Sequence, residues 1–310
     1  MATLETLRRK IQTSNDLLSV VKTMKSLAAV NIRQYEAAAY AMNEYTSVIA
    51  SGWYGFFHNQ PHLQTRRKKA ESVCLVLGSD QAMCGQFNEV IIEYALSSIE
   101  KESSDSAGHH FWSAGERIRS GMKDREIEAH FSLPSSMGAI ADLMVDIVDR
   151  LVKVRKSRPV DKFIIFYNHL GRAATYEPGL DQILPLDPSW YEQHRREKWP
   201  TRCFPMLGID PHLLFETLFY QHIFASISKA FTHSLASENA VRLGAMQAAE
   251  KNIIELEEKL QGRFRETRQN AITEELLDII SGFEVINDSQ SPVHDRLHMS
   301  GQIETLKGGR

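Results

Sequence analysis

The chain has 310 residues, of which 43% are hydrophobic and 24% are charged, a composition typical of folded proteins and not of disordered ones. Its formal net charge of −3 provides no general attraction to nucleic acid, and no segment approaches the roughly 18 apolar residues of a transmembrane helix. The first residues, MATLETLRRKIQ, lack the apolar segment of a secretory signal. Three widely spaced cysteines argue against a disulfide framework and fit a reducing compartment.

The first predicted element is a long helix over residues 1–54, which has no proline and no glycine before Gly52. Positions taken alternately four and three residues apart from Leu7 are apolar or aromatic at ten of thirteen places, the heptad pattern of a coiled coil. Lys25 interrupts this seam. Its predicted seam residues include Leu18, Val21, Ala28 and Ile32. Residues 55–70 are predicted to form a polar and aromatic linker.

The middle of the chain, residues 71–210, predicts a mostly parallel, Rossmann-like α/β domain with a trailing loop. Short apolar runs of the kind found in fully buried strands alternate here with amphipathic helical patterns. Strands are predicted over 72–77, 110–113 and 162–168, and helices over 87–99 and 138–154. The sequence leaves the order of the strands in the sheet open.

A turn, GSDQAMCGQF at residues 78–87, joins the first predicted strand to the next helix. A doubly wound fold binds nucleotides at this place. However, the chain has neither a G-x-x-x-x-G-K-[ST] nor a G-x-G-x-x-G phosphate-binding pattern, so we interpret the segment as a structural turn. The residues that we expect to define this turn are Ser79, Asp80, Cys84 and Gly85. The scattered histidines form no recognisable metal set, and we expect no cofactor and no catalytic residues.

The last predicted helix covers residues 211–287, and a polar tail covers 288–310. Its predicted seam residues are Ile253, Leu256 and Leu260. About 75 helical residues span roughly 110 Å, and the first helix roughly 70 Å. Because long helices need a partner for their apolar face, we predict that the two terminal helices pair as an antiparallel coiled coil. About a third of the longer helix is then left without a partner in this chain.

Five segments of the chain resemble segments of one known protein family. They are VVKTMKSLAA at 20–29, SDQAMCGQFN at 79–88, QILPL at 182–186, ASENAVRLGAM at 236–246 and RQNAITEEL at 268–276. In the same order along the chain, they resemble the sequence of the gamma subunit of F-type ATP synthases, the central rotor stalk. The turn departs from the family at Gln81 and Ala82, where Arg and Gly are usual, and the chain extends past the usual end. These departures suggest a less common branch of the family.

The resemblance implies a rotating shaft that couples ion translocation through a membrane c ring to ATP synthesis or hydrolysis at a head of alpha and beta subunits. It implies that the chain itself is not an enzyme and is present in one copy per complex. Its implied partners are the alpha and beta subunits, the epsilon subunit and the c ring, without nucleic acid. The implied location is peripheral, at the cytoplasmic face of a bacterial or archaeal cell membrane.

The resemblance also assigns contacts with the alpha and beta head. Polar or mixed contacts are expected at Met24, Lys25, Arg268, Gln269 and Thr273. An apolar axle tip is expected from Ile272, Leu276, Ile279, Ile280 and Phe283. The alternative for the polar set is an ordinary solvated coil surface.

Two other classes of function stay open at this level. The chain could be a nucleotide-binding α/β enzyme with a dimerising coiled coil, or a scaffold with no rotary role. Tight nucleotide binding with turnover by the isolated chain supports the enzyme, whereas copurification with alpha, beta and epsilon supports the stalk.

Overall fold

The structure is a computed structural model that describes residues 3–59, 71–102, 108–134, 138–171, 176–185, 203, 206 and 208–290. Contacts divide the chain into two units, residues 20–250 and residues 1–19 with 251–310. The helices are α1 Leu4–Asn59, α2 Phe87–Glu102, α3 Glu116–Gly121, α4 Gly138–Ser157 and α5 Pro211–Gln290. The strands are β1 Glu71–Leu77, β2 His109–Ala114, β3 Ile127–Phe131, β4 Val160–Leu170 and β5 Tyr176–Leu184. No helix in these ranges has an apolar stretch long enough to cross a bilayer.

The unit of residues 20–250 contains a five-stranded sheet in the order β3-β2-β1-β4-β5. β1 pairs in parallel with β2 and β4, and β2 pairs in parallel with β3, whereas β5 runs antiparallel to β4. The central strand β1 is buried on both faces. Val73, Leu75 and Leu77 belong to one core cluster, and Cys74 and Val76 belong to the other. This two-sided burial explains the continuous apolar run and confirms the predicted mostly parallel α/β class.

Three elements were not predicted from the sequence: α3, β3 and β5. The short strand β3 is half-buried except at its central residue, Ala129. The edge strand β5 contains Pro178 and Gly179, which normally argue against a strand. Because β5 pairs with β4 on one side only, its proline does not remove a hydrogen bond from the centre of the sheet.

The predicted linker at residues 55–70 begins too early. α1 continues through Asn59, and Phe56 and Phe57 are buried. Both rings pack against Trp53, whose ring centroid lies 5.9 Å from that of Phe56 and 5.3 Å from that of Phe57. These aromatic residues extend the helix because they complete a core cluster with the start of α5. The rest of the predicted linker, residues 60–70, lies outside the described residues.

Two other predicted boundaries lie next to residues outside the described part of the chain. α5 continues through Gln290, three residues into the predicted tail, and residues 291–310 lie outside the described part of the chain. Most of the predicted trailing loop also lies outside it, and α5 begins at Pro211 as predicted. Asp210 caps this start, because its carboxylate accepts hydrogen bonds from the backbone N–H groups of His212 and Leu213.

Within residues 20–250, α1 and α5 pair in antiparallel fashion. Asn31 donates to Asn239 across 3.3 Å, and farther along α1 the Tyr45 hydroxyl donates to Gln221, which lies earlier in α5. The seam positions are buried at Val21, Ala28, Tyr35, Ala39 and Ile49 and half-buried at Ile32. Apolar side chains therefore recur along the seam at the four-and-three spacing of a coiled coil, with Lys25 as an interruption.

In the unit formed by residues 1–19 and 251–310, α1 and α5 also pack along a seam. Leu7 and Ser14 are buried on α1, and Leu18 is half-buried. On α5, Ile253 is half-buried and Leu260 is buried. These placements follow the four-and-three spacing seen in the sequence of α1.

Leu256, predicted for this seam, is instead 51% exposed, whereas Leu260 is 8% exposed. A step of four residues from Ile253 leads to Glu257, and a step of three then leads to Leu260. Glu257 therefore takes the position expected for Leu256. With its amide oriented to donate, the Asn15 side-chain nitrogen lies 3.2 and 3.3 Å from the two carboxylate oxygens of Glu257.

Candidate functional site

The end of α5 presents an apolar surface to solvent. Every residue from 272 to 286 is exposed, and we call this segment the exposed apolar end. Its large apolar side chains, each 48–70% exposed, are Ile272, Leu276, Leu277, Ile279, Ile280, Phe283, Val285 and Ile286. Isolated apolar residues are normal on protein surfaces, but a contiguous set of this size marks an interaction site.

The five predicted tip residues lie on one side of this helix. Counted from Ile272, they occupy positions i, i+4, i+7, i+8 and i+11, which share a face at 3.6 residues per turn. Glu274 and Asp278 fall on the other side. The arrangement is an amphipathic helix whose apolar face is not covered by described residues, as in helices that dock into another protein.

The predicted polar contacts fall in both units. Arg268, Gln269 and Thr273 are exposed on one stretch of α5, where the Thr273 hydroxyl donates to the backbone carbonyl of Gln269 across 2.9 Å. Met24 and Lys25 are half-buried on α1 within residues 20–250. The exposed set on α5 is therefore accessible to another protein, whereas the pair on α1 is already partly covered by this chain.

Lys25 has an intrachain partner that sequence reasoning did not predict. Its Nζ lies 2.5 Å from Oε2 of Glu250 on α5, and the two side chains are 33% and 19% exposed. No sequence pattern selects this partner, because the last helix carries many acidic residues. Lys25 thus joins the two helices of its own unit.

The turn after β1 holds itself together by hydrogen bonds. The backbone N–H of Ser79 donates to Oδ1 of Asn88 across 2.9 Å, and Nδ2 of Asn88 donates to the Ser79 hydroxyl across 2.9 Å. The Asp80 carboxylate accepts from the backbone N–H groups of Glu116 and Leu133, at 2.8 and 3.0 Å. Asp80 therefore ties the turn to the segments that follow β2 and β3.

Gly78 is required by close packing, and Gly85 by its backbone conformation. A Cβ at Gly78 would lie 2.3 Å from Cγ1 of Ile118 and 2.5 Å from Oδ1 of Asn88. Gly85 has a φ of 59°, in the left-handed region that glycine adopts readily. The close neighbours of Gly78 are side chains, which supports the structural interpretation of the turn over a phosphate cradle.

A buried charge pair lies on α5 beside this turn. Nη2 of Arg242 donates to Oε1 of Glu238 across 2.6 Å, and both side chains are largely buried. Oε2 of Glu238 is buried without a hydrogen-bond partner among the described residues. Burial raises the pKa of the Glu238 carboxyl, and Arg242 partly opposes that rise. Burial also raises the pKa of Cys84 in the turn, and the nearby Glu238 charge adds to that effect.

Sequence reasoning did not single out Glu238, although it lies with Arg242 in the segment ASENAVRLGAM. The available signal was an acid and a base four residues apart on a helix, which meet on one face. Their burial requires the neighbouring turn, which the sequence pattern does not reveal. The pair is part of the joint between α5 and the α/β domain within residues 20–250.

An α/β domain inserted between two long terminal helices, which pack along a seam in each of the two units, defines the class of the fold: an α/β protein whose two ends form a coiled coil. The family model described as ATP synthase matches residues 3–286. The chain therefore belongs to the ATP synthase gamma family.

Known relatives agree with this assignment. The chain is 25% identical over 316 residues to the ATP synthase gamma chain of Nostoc punctiforme, with 92% of this chain and 100% of the relative covered. It is 24% identical to the gamma chain of a Cyanothece species, with the same coverage. Its fold is similar to a chain in the OSCP/F1/c-ring structure of Euglena gracilis mitochondrial ATP synthase, at a TM-score of 0.63 and 14% identity, covering 94% of this chain and 97% of the other.

Proposed function

We propose that this chain is the central stalk of an F-type ATP synthase, a shaft that turns inside a head of alternating alpha and beta subunits. Its family membership and its match to gamma chains over their full length support this assignment. In this role the chain couples ion translocation through a membrane c ring to ATP synthesis or hydrolysis at the head. The epsilon subunit is a further expected partner.

The exposed apolar end is the single observation that carries the proposal. A helix that exposes eight large apolar side chains within fifteen residues gains free energy when another protein covers them. A ring-shaped head with a central hole is a partner that surrounds a single helix. An apolar contact of this kind has few directional hydrogen bonds, so the helix can turn within it at low cost.

Paired helices support the mechanical part of the proposal. In residues 20–250, α1 and α5 share a buried seam and bond across it through Lys25, Asn31 and Tyr45. Two helices that are joined along a seam resist twisting better than one. The shaft presents a different face to each beta subunit as it turns, and this difference in contacts is a coupling free energy between rotation and nucleotide affinity.

We further propose that the chain is not itself catalytic and lies at the cytoplasmic face of a bacterial or archaeal cell membrane. The turn after β1, where an α/β enzyme would hold phosphate, uses Ser79, Asp80 and Asn88 for bonds within the chain. ATP chemistry then belongs to the beta subunits. The cyanobacterial relatives favour a bacterial source.

Copurification with neighbouring subunits tests the proposal. We expect the full chain, coexpressed with the alpha, beta and epsilon subunits of its own genome and purified through a tag on beta, to be retained in a head with ATPase activity. Replacing Ile279 and Phe283 together by serine should reduce retention at least tenfold, because each buried large apolar side chain contributes about 1.5–3 kcal/mol.

The matched control replaces Glu274 and Asp278, on the other side of the same helix end, by serine. This variant should be retained as well as the parent, and circular dichroism should show that both variants keep their helix content. Full retention of the apolar-face variant would contradict the docking of this end. Absence of alpha, beta and epsilon from the parent preparation would contradict the stalk assignment.

A further inference from the structure

Polar contacts cross the seam between α1 and α5 within the described part of residues 20–250. We call the following the polar pairs: Lys25–Glu250, Asn31–Asn239 and Tyr45–Gln221. Asn239 is fully oriented, because its Nδ2 donates to the carbonyl of Leu235 across 2.8 Å and its Oδ1 accepts from Asn31. Each pair joins one residue of α1 to one residue of α5, in a fixed order along both helices.

The apolar part of the seam does not by itself define how far one helix lies along the other. Its residues on α1, such as Val21, Ala28 and Ala39, recur with the heptad. A slide of one heptad, about 10 Å, brings apolar positions back onto apolar positions. Polar residues within a seam are the known means of excluding such alternatives.

A slide in either direction disrupts the polar pairs. Moving α5 by one heptad in one direction places Leu243 where Glu250 stands, so that the charge of Lys25 faces an apolar side chain. Moving it in the other direction places Glu257 where Glu250 stands, which leaves Lys25 an acidic partner, but it places the buried Met246 where Asn239 stands, so that the Asn31 amide loses its partner. An uncompensated polar group or charge at a half-buried position costs free energy in both cases.

We propose that Lys25 and Glu250, supported by Asn31 and Asn239, are positioning residues that fix the axial register of α1 against α5. This rests on the proposed function in one respect: in a shaft under torque, the fixed register keeps the two helices from sliding past each other. The Lys25–Glu250 pair is only 33% and 19% exposed, so its attraction is less screened than that of a surface pair.

Disulfide trapping in the full chain measures the register directly. Cysteines in place of Asn31 and Asn239 report the native register, since those side chains approach to 3.3 Å. Cysteines in place of Asn31 and Thr232 report the register displaced by one heptad in which Leu243 faces Lys25. The ratio of the two disulfide yields is measured in four backgrounds: the parent, Lys25→Glu, Glu250→Lys, and the exchanged pair Lys25→Glu with Glu250→Lys.

We expect each single substitution to lower the native-to-displaced ratio roughly 2- to 150-fold, the range of coupling between residues in direct contact. The exchanged pair should return the ratio towards that of the parent. Lys22→Glu, at an exposed position on α1, makes the same charge change and should leave the ratio unchanged. An unchanged ratio in both single variants, or an exchanged pair no better than either single variant, would overturn the proposal.

A double Lys25→Leu and Glu250→Leu variant allows the same test if the single variants fail to fold. Apolar replacement of a buried ion pair is often neutral or stabilising, so this variant should keep its helix content and unfolding midpoint. It should nevertheless populate the displaced disulfide more than the parent does. A native-only register in this folded variant would overturn the proposal.

The assembled complex separates this proposal from the proposed function. In complexes containing a double Asn31→Leu and Asn239→Leu variant, we expect ATP hydrolysis to continue while ATP synthesis driven by an ion gradient falls. Synthesis at the parent level would overturn the mechanical role of the register. If the parent chain failed to assemble with alpha and beta, the stalk assignment would fall, whereas the disulfide ratios of the isolated chain would still decide whether these residues fix the register.

Discussion

Two leucines four residues apart on α5 provide a direct measurement of where the seam lies. Leu260 is 8% exposed and Leu256 is 51% exposed, in the unit of residues 1–19 and 251–310. Both are replaced by alanine, which removes the same atoms from the same helix. The two variants therefore differ only in what surrounds the deleted side chain.

The expected costs follow from burial. Leucine-to-alanine substitutions at buried sites cost about 2–5 kcal/mol, and we expect about 2–3 kcal/mol for Leu260 because a two-helix surface can partly relax. A fully buried leucine contributes about 1.5–3 kcal/mol, so half-exposed Leu256 should lose about 1 kcal/mol or less. The higher helix propensity of alanine returns a few tenths of a kcal/mol at either site.

Hydrogen exchange measured by mass spectrometry reports this difference locally, in peptides covering residues 4–19 and 251–265. A difference of about 1.5–2 kcal/mol corresponds to a roughly 10- to 30-fold larger opening constant in Leu260→Ala than in Leu256→Ala. Equal acceleration in the two variants, or a larger effect at Leu256, would refute the assignment of Leu260 to the seam and of Leu256 to the surface.

Two further predictions concern residues 20–250. Trp53→Ala should lower the free energy of unfolding in urea by about 3–5 kcal/mol, because its fully buried ring packs on Phe56 and Phe57. Tyr40→Ala, at a 69% exposed position, should change that free energy little. Equal losses in the two variants would contradict the aromatic cluster. Burial raises the pKa of the Glu238 carboxyl in the folded chain. The protonated carboxyl therefore contributes to folding stability below its ordinary pKa, and this contribution is lost as the pH rises through the raised pKa. The stability of Glu238→Gln relative to the parent should therefore increase from acid to neutral pH, and a pH-independent difference would contradict this.

The sequence predicts the features that repeat along the chain. The heptad stripe of α1 corresponds to buried or half-buried positions from Leu7 to Ile49, because a long seam repeats one simple pattern. The buried strands β1 and β4 are also predicted, because a strand covered on both faces must be apolar throughout.

Features set by distant contacts are not predicted. Phe56 and Phe57 read as part of a linker until α5 supplies the residues that cover them. Glu250 and Glu238 are ordinary helical acids in the sequence, and only the fold places one against Lys25 and the other beside the turn after β1. The error at Leu256 has a local cause, since leucines at 256 and 260 both fit an apolar stripe until a partner helix selects one.

Rotation of a labelled complex tests the central claim most directly. Cys203 is exposed whereas Cys74 and Cys84 are buried, so a maleimide-linked probe can be attached selectively at Cys203 in a surface-fixed complex with the alpha and beta subunits. We predict that the probe turns continuously in one direction while ATP is hydrolysed, and that it stops when Phe283→Cys is cross-linked to the head. Sustained hydrolysis by the assembled complex with a stationary probe would contradict the rotating-shaft account.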